Sequence, residues 1–504
     1  MADISRMEKE NPWWRGADSI DSDEKIVQWA KSAARYDPPL RARMEYDFEP
    51  DNTVVYTLRG PRQTGKTTLV KLQIRDLLSG GVCPWNIFYY SFDLVQTLES
   101  MARTIEEYLK MSDKTRDKQR RTYLFLDELT SVTEWQRGIK WLVDVGDLRH
   151  CTVLVTGSRA IDILRGADAL PGRRGRISGP HDHILYPMSF AEFVRLRDGD
   201  VAKFLDGQGF FRPGFKKTMF ANMTCGRKTE MQEILHDRFG DRLDSYFREY
   251  LVCGGTPQVV GYMIARGQIP GHLFDRYVEG FRADWNANER DKLSRFGSAI
   301  CNNLCSAVSW NNLNDQVKLG SWQKAEEYTF LLKHTSLISV VQRYAERDNK
   351  TMPHKNKKIY FNDPFYFHIF NRLPDMAEPF PATKKFLESD ADRGRLVENV
   401  VAGHLVRWAF DNVENQQRFS PDNCIGYWRG SSGRETDFVL FNVAESAVPI
   451  EVKYSRHVRD ADLRGLDDFL DVTGTKTGIA LSQNELAFGD RRALVPVSLF
   501  LMGV

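Results

Sequence analysis

"GPRQTGKTT", Gly60 to Thr68, decides the fold of this 504-residue chain. It fits the pattern G-x-x-x-x-G-K-[ST] and lies between the apolar run "TVVYTL" and the helical stretch "LVKLQIRDLL", where a phosphate loop belongs. Glycines let backbone amides close around phosphate oxygens, and a helix N-terminus adds positive potential there. Gly60, Pro61, Arg62, Gln63, Thr64, Gly65, Lys66, Thr67 and Thr68 are therefore the expected ATP-binding residues. Lys66 is placed to reach the β and γ phosphates and Thr67 to offer a Mg²⁺ ligand.

Around this loop the sequence alternates short apolar runs with helix-length segments: "TVVYTLRG", "NIFYYSF", "TYLFLDE", "TVLVTGS" and "HILYPMS". Runs rich in β-branched and aromatic residues at this spacing predict parallel strands buried on both faces, an α/β core. The third run ends in Asp127 and Glu128. A strand delivering two acids beside a phosphate loop puts Asp127 at the metal and Glu128 where it polarises the attacking water. The fourth run ends in "VTGSR", offering Thr156 and Ser158 as sensors of the γ phosphate, although Ser after Gly is also ordinary turn chemistry. "LPGRRGR" carries Arg173, Arg174 and Arg176. An arginine finger is one reading, with Arg173 as its candidate; a nucleic-acid patch or a solvated basic loop is the other.

After Phe190 the pattern turns helical and charged, and "CGGTP" at Cys253 to Pro257 interrupts it. Three helical stretches and two strand-like runs around "HKNKK" then predict a winged helix, with Lys324, Lys333, Lys355, Lys357 and Lys358 able to contact phosphates. Glu326 and Glu327 oppose that role, and such modules also serve as packing units. The tail reads helix, three strands, helix, strand, a complete small α/β unit.

Within that tail, "ETDFVLFNVAESAVPIEVKYS" sets Asp437 on one strand and Glu451 with Lys453 on the next. Residues two apart on a strand share a face, so Glu451 and Lys453 point together and a hairpin brings Asp437 alongside. Two carboxylates and an amine suit metal-assisted phosphodiester hydrolysis, with Asp437 and Glu451 holding Mg²⁺ and Lys453 orienting water. A Glu-x-Lys pair on a strand is also a common surface ion pair.

The stretches "LRGPRQTGKTT", "LFLDELTSVTEW", "VLVTGSRAIDIL", "LPGRRGR" with "YPMSFAEF", "YLVCGGTP", "KIYFNDP" and "GRLVENVV…ETDFVL…IEVKYS" occur in the order of an archaeal and bacterial family of AAA-type ATPases that the chain resembles over residues 50–480. The resemblance implies an ASCE-type P-loop core, a winged helix and a C-terminal domain similar to PD-(D/E)xK nucleases, with Glu398 as the helix glutamate completing the metal site. The chain departs from the family in a long helical insertion and an N-terminal extension. Expected divisions are an extension over 1–50, the ATPase core over 51–195, a helical insertion and lid over 196–292, a winged helix over 293–372 and a restriction-endonuclease-like α/β domain over 373–504.

Composition bounds the rest. A 42% hydrophobic chain of this length buries several cores, and 70 basic against 68 acidic residues exclude a uniformly basic coat, leaving local patches for any nucleic acid. Seven scattered cysteines fit reduced thiols, and no run approaches the roughly 18 apolar residues of a membrane span, so a cytoplasmic protein is expected. "CNNLC" lacks a second ligand pair and reads as buried thiols rather than zinc ligands, and "HDH" at 181–183 as a loop entering a strand. The whole predicts an ATP- and Mg²⁺-dependent ATPase that acts on nucleic acid, DNA foremost, as a homo-oligomer, with a metal-dependent nuclease-like domain. The alternative is a nucleotide-driven switch or DNA motor whose nuclease-like domain is inert.

Overall fold

The computed structural model of the chain describes residues 4–38, 53–157, 170, 174–175, 180–212, 214–283, 285, 287–372, 378–414, 416 and 419–504. They form two compact units, Met1–Tyr186 and Pro187–Val504.

In the first unit, strands β1 (Val54–Arg59), β2 (Ile87–Ser91), β3 (Thr122–Asp127), β4 (Cys151–Thr156) and β5 (Asp182–Ile184) form a parallel sheet in the order β2-β3-β4-β1-β5. The apolar runs thus became strands covered on both sides: every residue of β1 and β4 is buried. β4 lies between β1, which feeds the phosphate loop, and β3, which carries the acids. Helix Lys66–Ser79 follows the loop and packs Leu69, Val70, Leu72, Ile74 and Leu78 inward.

The described part of the N-terminal extension is ordered into helices Ile4–Glu10 and Glu24–Lys31 joined by 3₁₀ turns. Tertiary packing drives this, since helices this short are marginal alone. Its side chains satisfy the outer edge of β2. Trp13 and Trp14 donate their indole N–H groups to the Ile87 carbonyl at 3.1 and 3.0 Å, and Glu10 accepts the Ser91 N–H at 2.8 Å. Arg6 donates to the Ser91 carbonyl at 2.6 Å. An edge strand that would otherwise offer free backbone groups is closed by side chains. Trp14 also stacks on Trp85 at 4.6 Å.

The second unit opens with helices Phe190–Arg197, Gly199–Gly207, Phe215–Thr224 and Glu230–Cys253, the helical stretch the sequence predicts. Three helices (Arg290–Asn302, Trp310–Val317, Trp322–His334) then precede the hairpin of β6 (Ile338–Ala345) and β7 (Lys350–Phe361), the order expected of a winged helix. The hairpin, however, does not stand alone. β6 pairs in parallel with β8 (Ile425–Arg429), which joins it to β9 (Glu435–Leu440), β10 (Val448–Val452), β11 (Gly478–Ser482), β12 (Ala487–Phe488) and β13 (Arg492–Pro496). One mixed eight-stranded sheet results, ordered β12-β13-β11-β10-β9-β8-β6-β7.

Three motifs quoted above meet on β7 and the residues just after it. Asn399 of helix Asp390–Asn412 accepts the Phe361 N–H at 2.7 Å and donates to the Phe361 carbonyl at 3.0 Å. Asp363 accepts the Gly255 N–H at 2.7 Å and the Phe365 N–H at 2.8 Å. Gly254 sits at φ +61°, where an added Cβ would lie 2.0 Å from Asp363 Oδ1. Among the described residues, no helix is long and apolar enough to cross a membrane.

Candidate functional site

Gly60, with φ +151°, passes so close to Leu185 that an added Cβ would lie 2.3 Å from its carbonyl oxygen, and Gly65 (φ +98°) turns the chain into the helix. These two backbone shapes create the cradle. Lys66, 5% exposed, donates from Nζ to the carbonyls of Gly60 and Pro61, each at 2.9 Å, and the Thr64 hydroxyl donates to Pro61. The loop thereby holds its own lysine over the phosphate position.

Parallel pairing of β1, β4 and β3 brings the partners to the same sheet edge. Asp127, 2% exposed, accepts three hydroxyl hydrogen bonds. Thr67 donates to Oδ2 at 2.8 Å, Tyr89 donates to Oδ2 at 2.9 Å, and Thr156 donates to Oδ1. Thr156 also accepts the Glu128 N–H at 3.0 Å, so one hydroxyl couples the two acids. Glu128 takes a left-handed backbone (φ +50°), which turns it out of the strand direction.

Tyr89 was not foreseen. Burial, then the Asp127 carboxylate, push its phenol well above the ordinary tyrosine range, so it remains a donor. Lys71 lies 3.4 Å over its ring and pairs with Asp23 at 3.2 Å, which ties the N-terminal segment to this corner. The signal available was positional: Tyr89 is on the strand next to the acid-bearing one.

Of the basic loop, Arg174 is described and is structural: it grips Asp182 with two hydrogen bonds of 2.9 Å and donates to the Val55 carbonyl. The arginine-finger candidate Arg173, with Arg176 and the sensor candidate Ser158, lies outside the described residues.

In the second unit the β9–β10 register, Ile450 opposite Phe438, carries on to set Glu451 beside Asp437. Glu451 Oε2 accepts the Asp437 N–H at 3.3 Å, Asp437 Oδ2 accepts the Val452 N–H at 2.9 Å, and Lys453 pairs with Glu451 Oε1 at 2.7 Å. Glu398 comes in from its helix. The fifth member is Lys358 of β7, which sequence reasoning had put on the wing facing phosphates. It is 1% exposed, and its Nζ lies 2.8 Å from Glu435, 3.3 Å from Glu398 and 3.3 Å from Asp437. Tyr360, two residues on, donates to Glu398 at 2.6 Å.

Burial works against the Lys358 ammonium, but Glu398, Asp437 and Glu435 more than reverse it and hold its pKa well above the ordinary lysine value. Burial, then Asp437, push Glu451 up to about 8, and the same two causes raise Glu398. The carboxylates are arranged about an ammonium. Among the described residues, no three His, Cys, Asp or Glu side chains converge so as to hold a metal ion.

The remaining lysines of the expected DNA face are largely engaged too. Lys324 pairs with Glu289 and Glu327, Lys333 with Asp422, and Lys357 is buried over Trp310. Only Lys355 of the five is exposed without a described ion pair.

Comparison with known proteins finds three family matches along the chain. Residues 52–194 match the family described as an AAA domain, residues 244–376 a domain of unknown function (DUF8612) and residues 393–500 another (DUF4143). An uncharacterized protein of Haemophilus influenzae is 29% identical over 161 residues, 30% of this chain, and the chain spans 35% of the length of that curated relative. Solved structures similar to it include the Walker-type ATPase of Pyrococcus abyssi (12% identity, 66% of this chain, 94% of that one, TM-score 0.38) and the ORC2 protein of Aeropyrum pernix (9%, 73%, 95%, 0.33). A third is Cdc6p of Pyrobaculum aerophilum (13%, 74%, 96%, TM-score 0.24). The matched family and the loop geometry together make residues 52–194 an AAA-type P-loop ATPase domain.

Proposed function

We propose that this chain hydrolyses ATP with Mg²⁺ and uses the cycle to act on nucleic acid, DNA being the expected partner. The observation that carries the first half is the Thr67–Asp127 hydrogen bond of 2.8 Å. A hydroxyl and a carboxylate joined at the mouth of a phosphate loop fit a Mg²⁺ ion, which would neutralise phosphate charge when bound. Thr67 and Asp127 would hold it. Lys66 would move its ammonium from the loop carbonyls onto the β and γ phosphates, and Glu128 would orient the attacking water. ATP turnover by the intact chain tests this: K66A, D127N and E128Q should each lose nearly all of it. A K66A chain with undiminished turnover would sink the reading.

The helix, three strands, helix and strand of residues 390–482 support a nuclease-like reading of the C-terminal module, with Asp437, Glu451, Lys453 and Glu398 as its constellation. Two functions are open to such a module: metal-dependent DNA cleavage, or an inert part of a nucleotide-driven switch or motor. Lys358 favours the second, because the carboxylates as arranged do not fit a Mg²⁺ shell, whose oxygens lie about 2.1 Å from the ion. DNA cleavage in Mg²⁺ or Mn²⁺ that both D437A and K453A abolish would restore the nuclease. A homo-oligomer in which Arg173 acts across subunits predicts a larger mass in solution with ATP; a monomer under all conditions removes that role.

A further inference from the structure

Resting on the nuclease-like reading of Glu398, Asp437, Glu451 and Lys453, we propose that Lys358 is the built-in cation of the C-terminal acid cluster: it takes the place a divalent metal would occupy, and a metal binds there only once that ammonium is gone.

Three facts of geometry support this. Lys358 Nζ touches the oxygens of three carboxylates from two different elements: Glu398 of helix Asp390–Asn412, and Glu435 and Asp437 of β9, all within 3.3 Å. An ammonium has three donors, and three carboxylates use them. The acids are also turned away from a shared metal point by their other partners: Tyr360 on Glu398, the Val452 N–H on Asp437, Lys453 on Glu451. Finally, Lys358 cannot withdraw by a side-chain swing into solvent. It sits on the buried half of β7, whose last five residues are all buried and whose backbone at Phe361 is clamped by Asn399. A divalent ion entering at this point would meet a like charge at contact distance in a low-dielectric setting, so ammonium and metal exclude each other.

The residue comes from a different stretch than the acids it neutralises. Lys358 lies in the part matching one domain of unknown function, and the four carboxylates in the part matching the other. One module therefore seals the other's site.

The test uses the intact chain without nucleotide and Mn²⁺ alone as probe, with bound ions counted by titration calorimetry. Wild type and D437N should bind equal numbers of Mn²⁺; K358M should bind one more than wild type, and K358M/D437N should lose it. K453M, which keeps Lys358, should gain none. A wild-type Mn²⁺ abolished by D437N, a folded K358M with no added ion, or an equal gain in K453M would overturn the proposal. If K358M does not fold, K358M/E435Q removes one carboxylate with the ammonium and carries the same comparison. A K358M chain that binds the extra ion yet leaves DNA uncut supports the role of Lys358 and counts against the nuclease-like reading.

Discussion

Asn11 acts as one residue of a missing strand against Tyr89: its carboxamide donates to the Tyr89 carbonyl at 2.8 Å and accepts the Tyr89 N–H at 2.7 Å. Both backbone groups are buried. Replacing Asn11 by Ala leaves two buried polar groups unpaired, each worth about 1–3 kcal/mol. N11A should therefore lower the urea midpoint of the first unit by an amount equivalent to roughly 2–4 kcal/mol; an unchanged midpoint would show that water replaces the carboxamide.

Thr156 bridges the acids, so T156V keeps the volume of the side chain and removes both hydrogen bonds. ATP turnover should fall at least about tenfold, the equivalent of one misplaced charged hydrogen bond, while nucleotide binding stays within about twofold. Equal losses in binding and turnover would mean that Thr156 shapes the loop and not the acids.

Gly254 has φ +61° and ψ −157°, a backbone region in effect reserved for glycine. G254A adds a collision with Asp363, and its chain should be recovered in low soluble yield or with a stability loss above about 3 kcal/mol. Gly240, inside helix Glu230–Cys253 with open space around its Cβ position, is the control: G240A should be neutral or stabilising by about 0.5–1 kcal/mol.

His404 is buried and accepts the Phe190 N–H at 2.9 Å on Nε2, so it must be neutral. Burial lowers its pKa from 6.5 to about 3. A group whose folded pKa is depressed binds its proton more readily in the unfolded chain. Its stabilisation is thus complete above about pH 6.5 and is lost as pH falls toward 3, by about 1.4 kcal/mol per unit. Buried His368, lowered to about 4, adds in the same sense, whereas Asp363, raised to about 7 by burial, works oppositely between about pH 4 and 7. Melting of the second unit at pH 4, 5 and 6 should show a shallower acid slope in H404Q than in wild type; parallel slopes would refute the assignment.

The nucleotide-binding half was legible because its chemistry is local in sequence: nine consecutive residues build the loop, and an apolar strand announces Asp127. Asp437, Glu451 and Lys453 were legible by strand alternation. The same rule applied one step earlier would have added Glu435, which shares a face with Asp437. Lys358 was obscured by its neighbours, since "HKNKK" has the look of a solvated loop. The clue lay downstream: in "KKIYF" both alternating sets become large and apolar, which marks a strand buried on both faces and demands an acid for any lysine there. The N-terminal helices could not be read from propensity, because their order depends on the edge of β2.

The parallel joint between β6 and β8 also sets a timetable for synthesis. Gln342 pairs with Gly426, so when the β6–β7 hairpin leaves the ribosome its neighbour has not yet been made. At about 5–20 residues per second, the chain from residue 342 to residue 426 takes roughly 4–17 s to appear. Through that interval β6 presents an open edge, and Lys358 still lacks Glu435 and Asp437, which are made after residue 426. Any pause in translation between these two strands lengthens the window in which the open edge of β6 can pair with another chain.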